Sequence, residues 1–179
     1  MSRNARVVIV GFMGAGKTTL ARELARLRGC RAVDLDELVA AREGRDPRRL
    51  IEEDGEAAFR EAETRALREA LESAAAQVIA LGGGAWTLER NRALVAASGY
   101  LTVWLDAPFE LCWRRITEGG MERPLARDRE SARGLYEERL ASYRLADLRL
   151  RVGEEDAASS LAARVAGALT EFETRRGET

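Results

Sequence analysis

A short β-branched run, "RVVIV" at residues 6–10, passes directly into "GFMGAGKTTL" at residues 11–20. No other feature restricts the architecture of the chain as tightly. The run reads as a strand buried on both faces. The glycines let the backbone fold tightly after it. "KTTLARELARLRG" then has helical spacing, with Leu20, Leu24 and Leu27 on one stripe and Gly29 as a stop. Residues 11–18 match G-x-x-x-x-G-K-[ST] in the strand-to-helix setting that the pattern requires. In that setting several backbone N–H groups face one point, and the helix N-terminus adds positive potential there. The result is a cradle for phosphate, expected to involve Gly14, Ala15, Gly16, Lys17, Thr18 and Thr19.

One detail of composition bears on this loop. Of the 29 Lys and Arg residues, 28 are Arg, and Lys17 is the single Lys. A slim ammonium acts as a movable point charge among phosphate oxygens. A guanidinium is a broad rigid fork that does not suit a loop wrapped around phosphate. Lys17 is expected to reach the β- and γ-phosphates of ATP, and the Thr18 hydroxyl to bind Mg²⁺.

The rest of the chain alternates strand and helix patterns. "RAVDLDE" (31–37) reads as a strand running into a loop or helix start, and Asp46 with Pro47 as a helix-opening pair. A helix is expected from Glu56 to Ser73, a strand over 77–81, a helix over 88–97 and a strand over 100–105. Pro108 opens a further helix. Residues 118–131 show no period, and a helix over 131–145, a strand over 148–152 and a helix over 157–172 follow. This order predicts an α/β fold: a five-stranded parallel sheet covered on both faces, in one domain spanning 1–179. Right-handed crossovers place every strand's C-terminal end on one edge, where ligands bind in such sheets. Asp34, Asp36 and Gly82 fall at that edge beside the phosphate loop.

Each of these residues has chemistry to offer there. Strand alternation points Asp34 and Asp36 to the same side. One can hold a water on Mg²⁺ while the other accepts the proton of an attacking hydroxyl. Gly82, Gly83 and Gly84 let a ligand approach the backbone closely. "GGMERPL" is a Gly-flanked loop with Arg123 near its centre, a pattern that suits a lid closing over a transferring phosphoryl group, and an ordinary surface loop equally.

Several function classes are excluded. The chain has no His, which rules out His-based general catalysis, a Ser-His-Asp triad and His-ligated metal sites. A net charge of −1 gives no field for steering the whole protein to nucleic acid or to an acidic membrane. Cys30 and Cys112 form no CxxC pair and, with no signal peptide read at the start, are expected as reduced thiols in the cytoplasm. No apolar run approaches the ~20 residues of a membrane span. A monomer without nucleic-acid or membrane partners is expected.

Taken in order, these pieces resemble the shikimate kinase family, from about Val7 to Leu169. They are "GFMGAGKTT", "DLDELV", "DGEAAFREAE", "LGGGA", "RPL" and the Arg of "YEERLASYRLAD". The resemblance implies a P-loop three-layer α/β/α sandwich with a mobile lid at about 118–131. It implies transfer of the γ-phosphoryl of MgATP to the 3-hydroxyl of shikimate. By motif position, Asp34 belongs near the metal's water shell, and Asp36 binds shikimate hydroxyls and assists deprotonation. Arg60 and Arg139 hold the shikimate carboxylate, Gly82, Gly83 and Gly84 bring backbone N–H groups to the substrate, and Arg123 descends with the lid onto the phosphates. Leu35, Ala40, Ile51 and Ala141 depart from the family's pattern. Arg114 and Arg115 are both placed to contact adenine, and the sequence does not choose between them. Two other readings stay open: a related kinase of gluconate or nucleoside monophosphates, and an ATP-binding module that transfers nothing.

Overall fold

Four consecutive β-branched residues can bury both faces of a strand without a polar side chain to satisfy, and the chain places them at the centre of its sheet. The computed structural model describes residues 5–119 and 128–177. Strand β1 (Val7–Val10) is wholly buried and lies between β3 (Ala76–Ala80) and β4 (Leu101–Asp106). β2 (Arg31–Asp34) and β5 (Leu148–Arg151) form the edges, giving the order β2-β3-β1-β4-β5 with every pairing parallel. The expected α/β class and the five-stranded parallel sheet are both found.

Among the described residues seven α-helices connect and cover these strands: α1 (Lys17–Arg28), α2 (Leu35–Glu43), α3 (Pro47–Glu72), α4 (Glu89–Ala97), α5 (Phe109–Glu118), α6 (Arg129–Tyr143) and α7 (Ala158–Gly177). A 3₁₀ turn spans Ala85–Thr87. Helix α1 packs on α7 and α2 on α3. Among the described residues no helix is long and apolar enough to cross a membrane.

Several boundaries differ from the sequence expectation. The strand at "RAVDLDE" ends at Asp34, whose carboxylate accepts hydrogen bonds from the N–H groups of Asp36 (2.9 Å) and Glu37 (3.3 Å) and so caps α2. Asp36 therefore lies in the first turn of a helix, and strand alternation is not what sets its direction. The expected helix-opening pair is found, with Asp46 capping α3 ahead of Pro47; the chain then turns non-helical at Gly55 (φ 89°), and the helix expected from Glu56 follows this kink. Leu27 is 51% exposed; the buried face of α1 is made by Leu20, Ala21, Leu24 and Ala25. α6 starts two residues earlier than expected because Asp128 caps it through the Ser131 N–H at 2.8 Å. Of the expected lid at 118–131, Glu118 closes α5 and Arg129 opens α6. Arg123 lies outside the described residues.

Cys112 is buried and Cys30 partly so, and both are free thiols. Burial pushes the Cys112 thiol up to about 11, which leaves it unreactive near neutral pH.

Candidate active site

The loop after β1 reaches α1 only by way of left-handed backbone. Gly14 (φ 76°) and Gly16 (φ 99°) supply it, and Gly16 stands at the N-cap of α1 with no side chain capping the helix. A methyl group on Gly14 would meet the Cys112 carbonyl oxygen at 2.5 Å, so the loop is also pressed against α5. The first turn of α1 holds no acidic residue to compete for its N–H groups. This is the geometry of an anion site at a helix N-terminus. Lys17 Nζ donates to the Phe12 carbonyl at 2.9 Å, which holds the ammonium across the loop.

Thr18 sits one residue further along, and its hydroxyl donates to Asp34 Oδ2. The pair joins the start of α1 to the end of β2. A hydroxyl and a carboxylate side by side are hard oxygen donors, and Mg²⁺ takes one or two protein oxygens together with phosphates and water. The residues fit that ion.

Beyond Asp34 a cleft of about 670 Å³ opens along the sheet edge. Thr18, Asp34, Asp36, Arg60, Gly82, Gly83, Gly84 and Arg139 all line it, so residues scattered over more than a hundred positions converge. Ala40, Ile51, Phe59 and Met13 add apolar wall. Two of these, Ala40 and Ile51, are positions where the sequence departs from the family pattern.

The glycines act as gaps for side chains. A methyl group on Gly82 would lie 2.8 Å from both Asp36 Oδ1 and Glu63 Oε1. One on Gly83 would lie 3.1 Å from Arg139 Nη1, and one on Gly84 2.4 Å from Arg60 Nη2. Two carboxylates and two guanidinium groups are thus laid against one glycine strip. Arg60 is oriented by Glu63 Oε2 at 2.8 Å and by Glu56 Oε1 at 3.0 Å. Arg139, 5% exposed, lies next to Tyr143, whose hydroxyl donates to the Gly83 carbonyl at 2.6 Å. Guanidinium groups arranged as two forks suit a planar carboxylate.

Glu63 is the site residue that sequence reasoning passed over. It is fully buried, and burial pushes its carboxyl up to about 7, although Arg60 and Arg139 pull the other way. The signal was available: Glu63 closes the "FREAE" run three residues after Arg60, one turn along the same helix face. Arg115 was left open with Arg114. The structure lays Arg115 on the phosphate loop, 3.2 Å from the Ala15 carbonyl, and pairs Arg114 with Glu154 at 3.0 Å.

A parallel sheet with a glycine-rich phosphate loop after its central strand, and an acceptor cleft beside it, defines a P-loop phosphotransferase of small molecules. The family model for shikimate kinase matches residues 13–170. The shikimate kinase of Ruegeria pomeroyi is 37% identical over 91% of this chain and 84% of its own length. That of Geobacter sulfurreducens is 41% identical over 83% of this chain and 82% of its own. The structure of shikimate kinase from Acinetobacter baumannii in complex with shikimate superposes with a TM-score of 0.88 at 31% identity, covering 96% of each chain. The chain belongs to the shikimate kinase family.

Proposed function

We propose that this chain transfers the γ-phosphoryl group of ATP to the 3-hydroxyl of shikimate, releasing ADP and shikimate 3-phosphate on the way to the aromatic amino acids. The observation that carries the reading is the cleft itself. It sets Asp36 beside a phosphate loop at one end and two convergent arginines at the other.

The roles follow from chemistry. Arg60 and Arg139 hold the acceptor carboxylate, and the N–H groups of the 82–84 strip approach it from below. Asp36 takes a hydrogen bond from the 3-hydroxyl and receives its proton as the oxygen attacks. The new bond joins that oxygen to the γ-phosphorus, and the bond to the β,γ-bridging oxygen breaks. Lys17 and the N–H groups of Gly14, Ala15, Gly16, Thr18 and Thr19 take up the charge on the phosphates, and Arg123 adds to it from the lid. Mg²⁺, held by Thr18 and through water by Asp34, supplies further charge neutralisation when bound. Arg115, already on the loop, is the arginine within reach of the nucleotide base. The whole is read as a single domain acting as a cytoplasmic monomer on a small molecule.

The test is ADP release with shikimate, quinate, gluconate and nucleoside monophosphates offered in turn. Shikimate is expected to give the highest kcat/KM. With Asp36→Asn, a kcat loss of roughly 10²–10⁴-fold with nucleotide binding retained is expected, the usual worth of a general base. Turnover that prefers gluconate or a nucleoside monophosphate would move the chain to a different acceptor.

A further inference from the structure

Arg60 and Arg139 face one glycine strip, and different groups steady them. Arg60 is gripped by two carboxylates of its own helix, Glu63 at 2.8 Å and Glu56 at 3.0 Å. The neighbour of Arg139 is a phenol. Tyr143 stands four residues further along α6, on the same helix face. It is 1% exposed. Burial pushes its phenol up to about 12, although the Arg139 guanidinium beside it pulls the other way. The hydroxyl therefore keeps its proton near neutral pH.

That proton is committed. Tyr143 Oη donates it to the Gly83 carbonyl at 2.6 Å. A guanidinium can donate and cannot accept, so the phenol oxygen meets Arg139 with its lone pairs. The surroundings fix the ring. Trp104 of β4 stacks on it with centroids 6.2 Å apart. Trp86 Nε1 donates to the Ser142 carbonyl at 2.9 Å, which ties the last turn of α6 to the 3₁₀ turn after the strip. Arg139 and Gly83 line the acceptor cleft, and Tyr143 stands behind them.

We propose that Tyr143 is a positioning residue for the acceptor: its hydroxyl sets the Arg139 guanidinium against Gly83 in the orientation that receives the acceptor carboxylate. This deepens the reading of the cleft given above and rests on it. Tyr143 touches no substrate and acts through Arg139. An arginine ordered before the acceptor arrives loses less side-chain freedom when it binds. The same hydroxyl does nothing for Arg60, whose orientation comes from Glu56 and Glu63.

The experiment asks which arginine Tyr143 is coupled to. Tyr143→Phe keeps the ring and the Trp104 stack and removes one oxygen. Steady-state kinetics for shikimate and ATP are measured with this change in the wild-type, Arg139→Ala and Arg60→Ala backgrounds. In the wild-type background the shikimate KM should rise roughly 3- to 10-fold, the range of one hydrogen bond, with kcat and the ATP KM little changed. In the Arg139→Ala background the change should add almost nothing, because the group it steadies is gone. In the Arg60→Ala background the full factor should remain. The methyl ester of shikimate offers Arg139 no carboxylate, so Tyr143→Phe and wild type should use it alike. A residue that merely supports the fold would cost the same factor in all three backgrounds, and that result overturns the proposal. An unchanged shikimate KM in Tyr143→Phe overturns it too. Should Tyr143→Phe fail to fold, 3-fluorotyrosine at position 143 keeps the contacts and makes the oxygen a poorer acceptor. The shikimate KM should still rise with the ATP KM unmoved, and an unmoved shikimate KM would again count against Tyr143. If the wild-type enzyme phosphorylates no shikimate, the functional reading fails and this inference falls with it. If it does so and Tyr143→Phe acts independently of Arg139, the role of Tyr143 alone is wrong.

Discussion

Arg60 lies across the face of Gly84 so closely that a single added methyl group would stand 2.4 Å from its Nη2 and 2.7 Å from its Cζ. Gly84 has ordinary right-handed backbone, at φ −98°, so any L-residue can adopt its conformation. The glycine is needed for the arginine and not for the chain. Gly84→Ala should therefore fold with a melting temperature close to the wild type while pushing Arg60 off its position. The shikimate KM is expected to rise roughly tenfold, about 1.4 kcal/mol, with the ATP KM unchanged. Thermal unfolding and two-substrate kinetics on the same preparation check both halves.

Arg60→Ala and Arg139→Ala should each raise the shikimate KM by roughly 10- to 150-fold, since a charge-assisted hydrogen bond is worth about 1.5–3 kcal/mol. The ATP KM should barely move, because neither residue belongs to the phosphate loop. The double variant should lose less than the sum of the two, as both hold one carboxylate. A methyl ester of shikimate should be a poor substrate of the wild type and should distinguish little between wild type and variants. Weaker ATP binding with unaltered shikimate binding would place these arginines elsewhere in the reaction.

Lys17→Arg keeps the charge and changes the shape. Circular dichroism should show an unchanged fold, and phosphoryl transfer should fall almost to nothing. Turnover near the wild-type rate would mean that the loop admits a guanidinium and that the choice of Lys carries no mechanism.

Glu63 gives stability a pH dependence of known sign. Burial disfavours the anion and pushes the folded carboxyl up to about 7, against 4.5 for an ordinary glutamate. The folded protein holds this proton more tightly than the unfolded chain. The contribution is fully present below pH 4.5 and is lost as the pH rises through 7, amounting to about 3 kcal/mol at about 1.4 kcal/mol per unit. Glu63→Gln has no proton to lose. Its stability relative to the wild type should improve between pH 5 and pH 8.5 in urea titrations, and a difference that stays flat with pH would show that Glu63 keeps its charge when folded.

The parts of this molecule that depend on local pattern were legible in the sequence, and those that depend on tertiary contact were not. The strand, loop and helix over 6–29 carry their own signals: a β-branched run, glycines at the positive-φ turns and a leucine stripe. Even there Leu27 fits the stripe and still faces solvent, because the buried face is narrowed to Leu20, Ala21, Leu24 and Ala25. Helix α2 was legible only as a loop or helix start, because "LDELVAARE" buries only Leu35 and Val39, and its capping Asp34 reads as the end of an alternating strand. The opening at Asp46 and Pro47 and the helix from Glu56 were both legible, and the kink at Gly55 separates them within α3. The acceptor cleft was legible through motif order. Glu63 was legible only as a neighbour of Arg60 in the "FREAE" run, one turn along the same helix face, and nothing local marks it as buried. Its role depends on Gly82 and Asp36, which reach it from elsewhere in the sequence.

The central claim is the identity of the reaction, and phosphorus NMR of a running mixture tests it most directly. With ATP, Mg²⁺ and shikimate, one new phosphomonoester resonance coupled to the C3 proton of shikimate should grow in step with ADP, with no free phosphate beyond the background. The same mixture with gluconate in place of shikimate should stay unchanged. Release of inorganic phosphate without a phosphomonoester, or a phosphomonoester formed from gluconate and not from shikimate, would contradict the account.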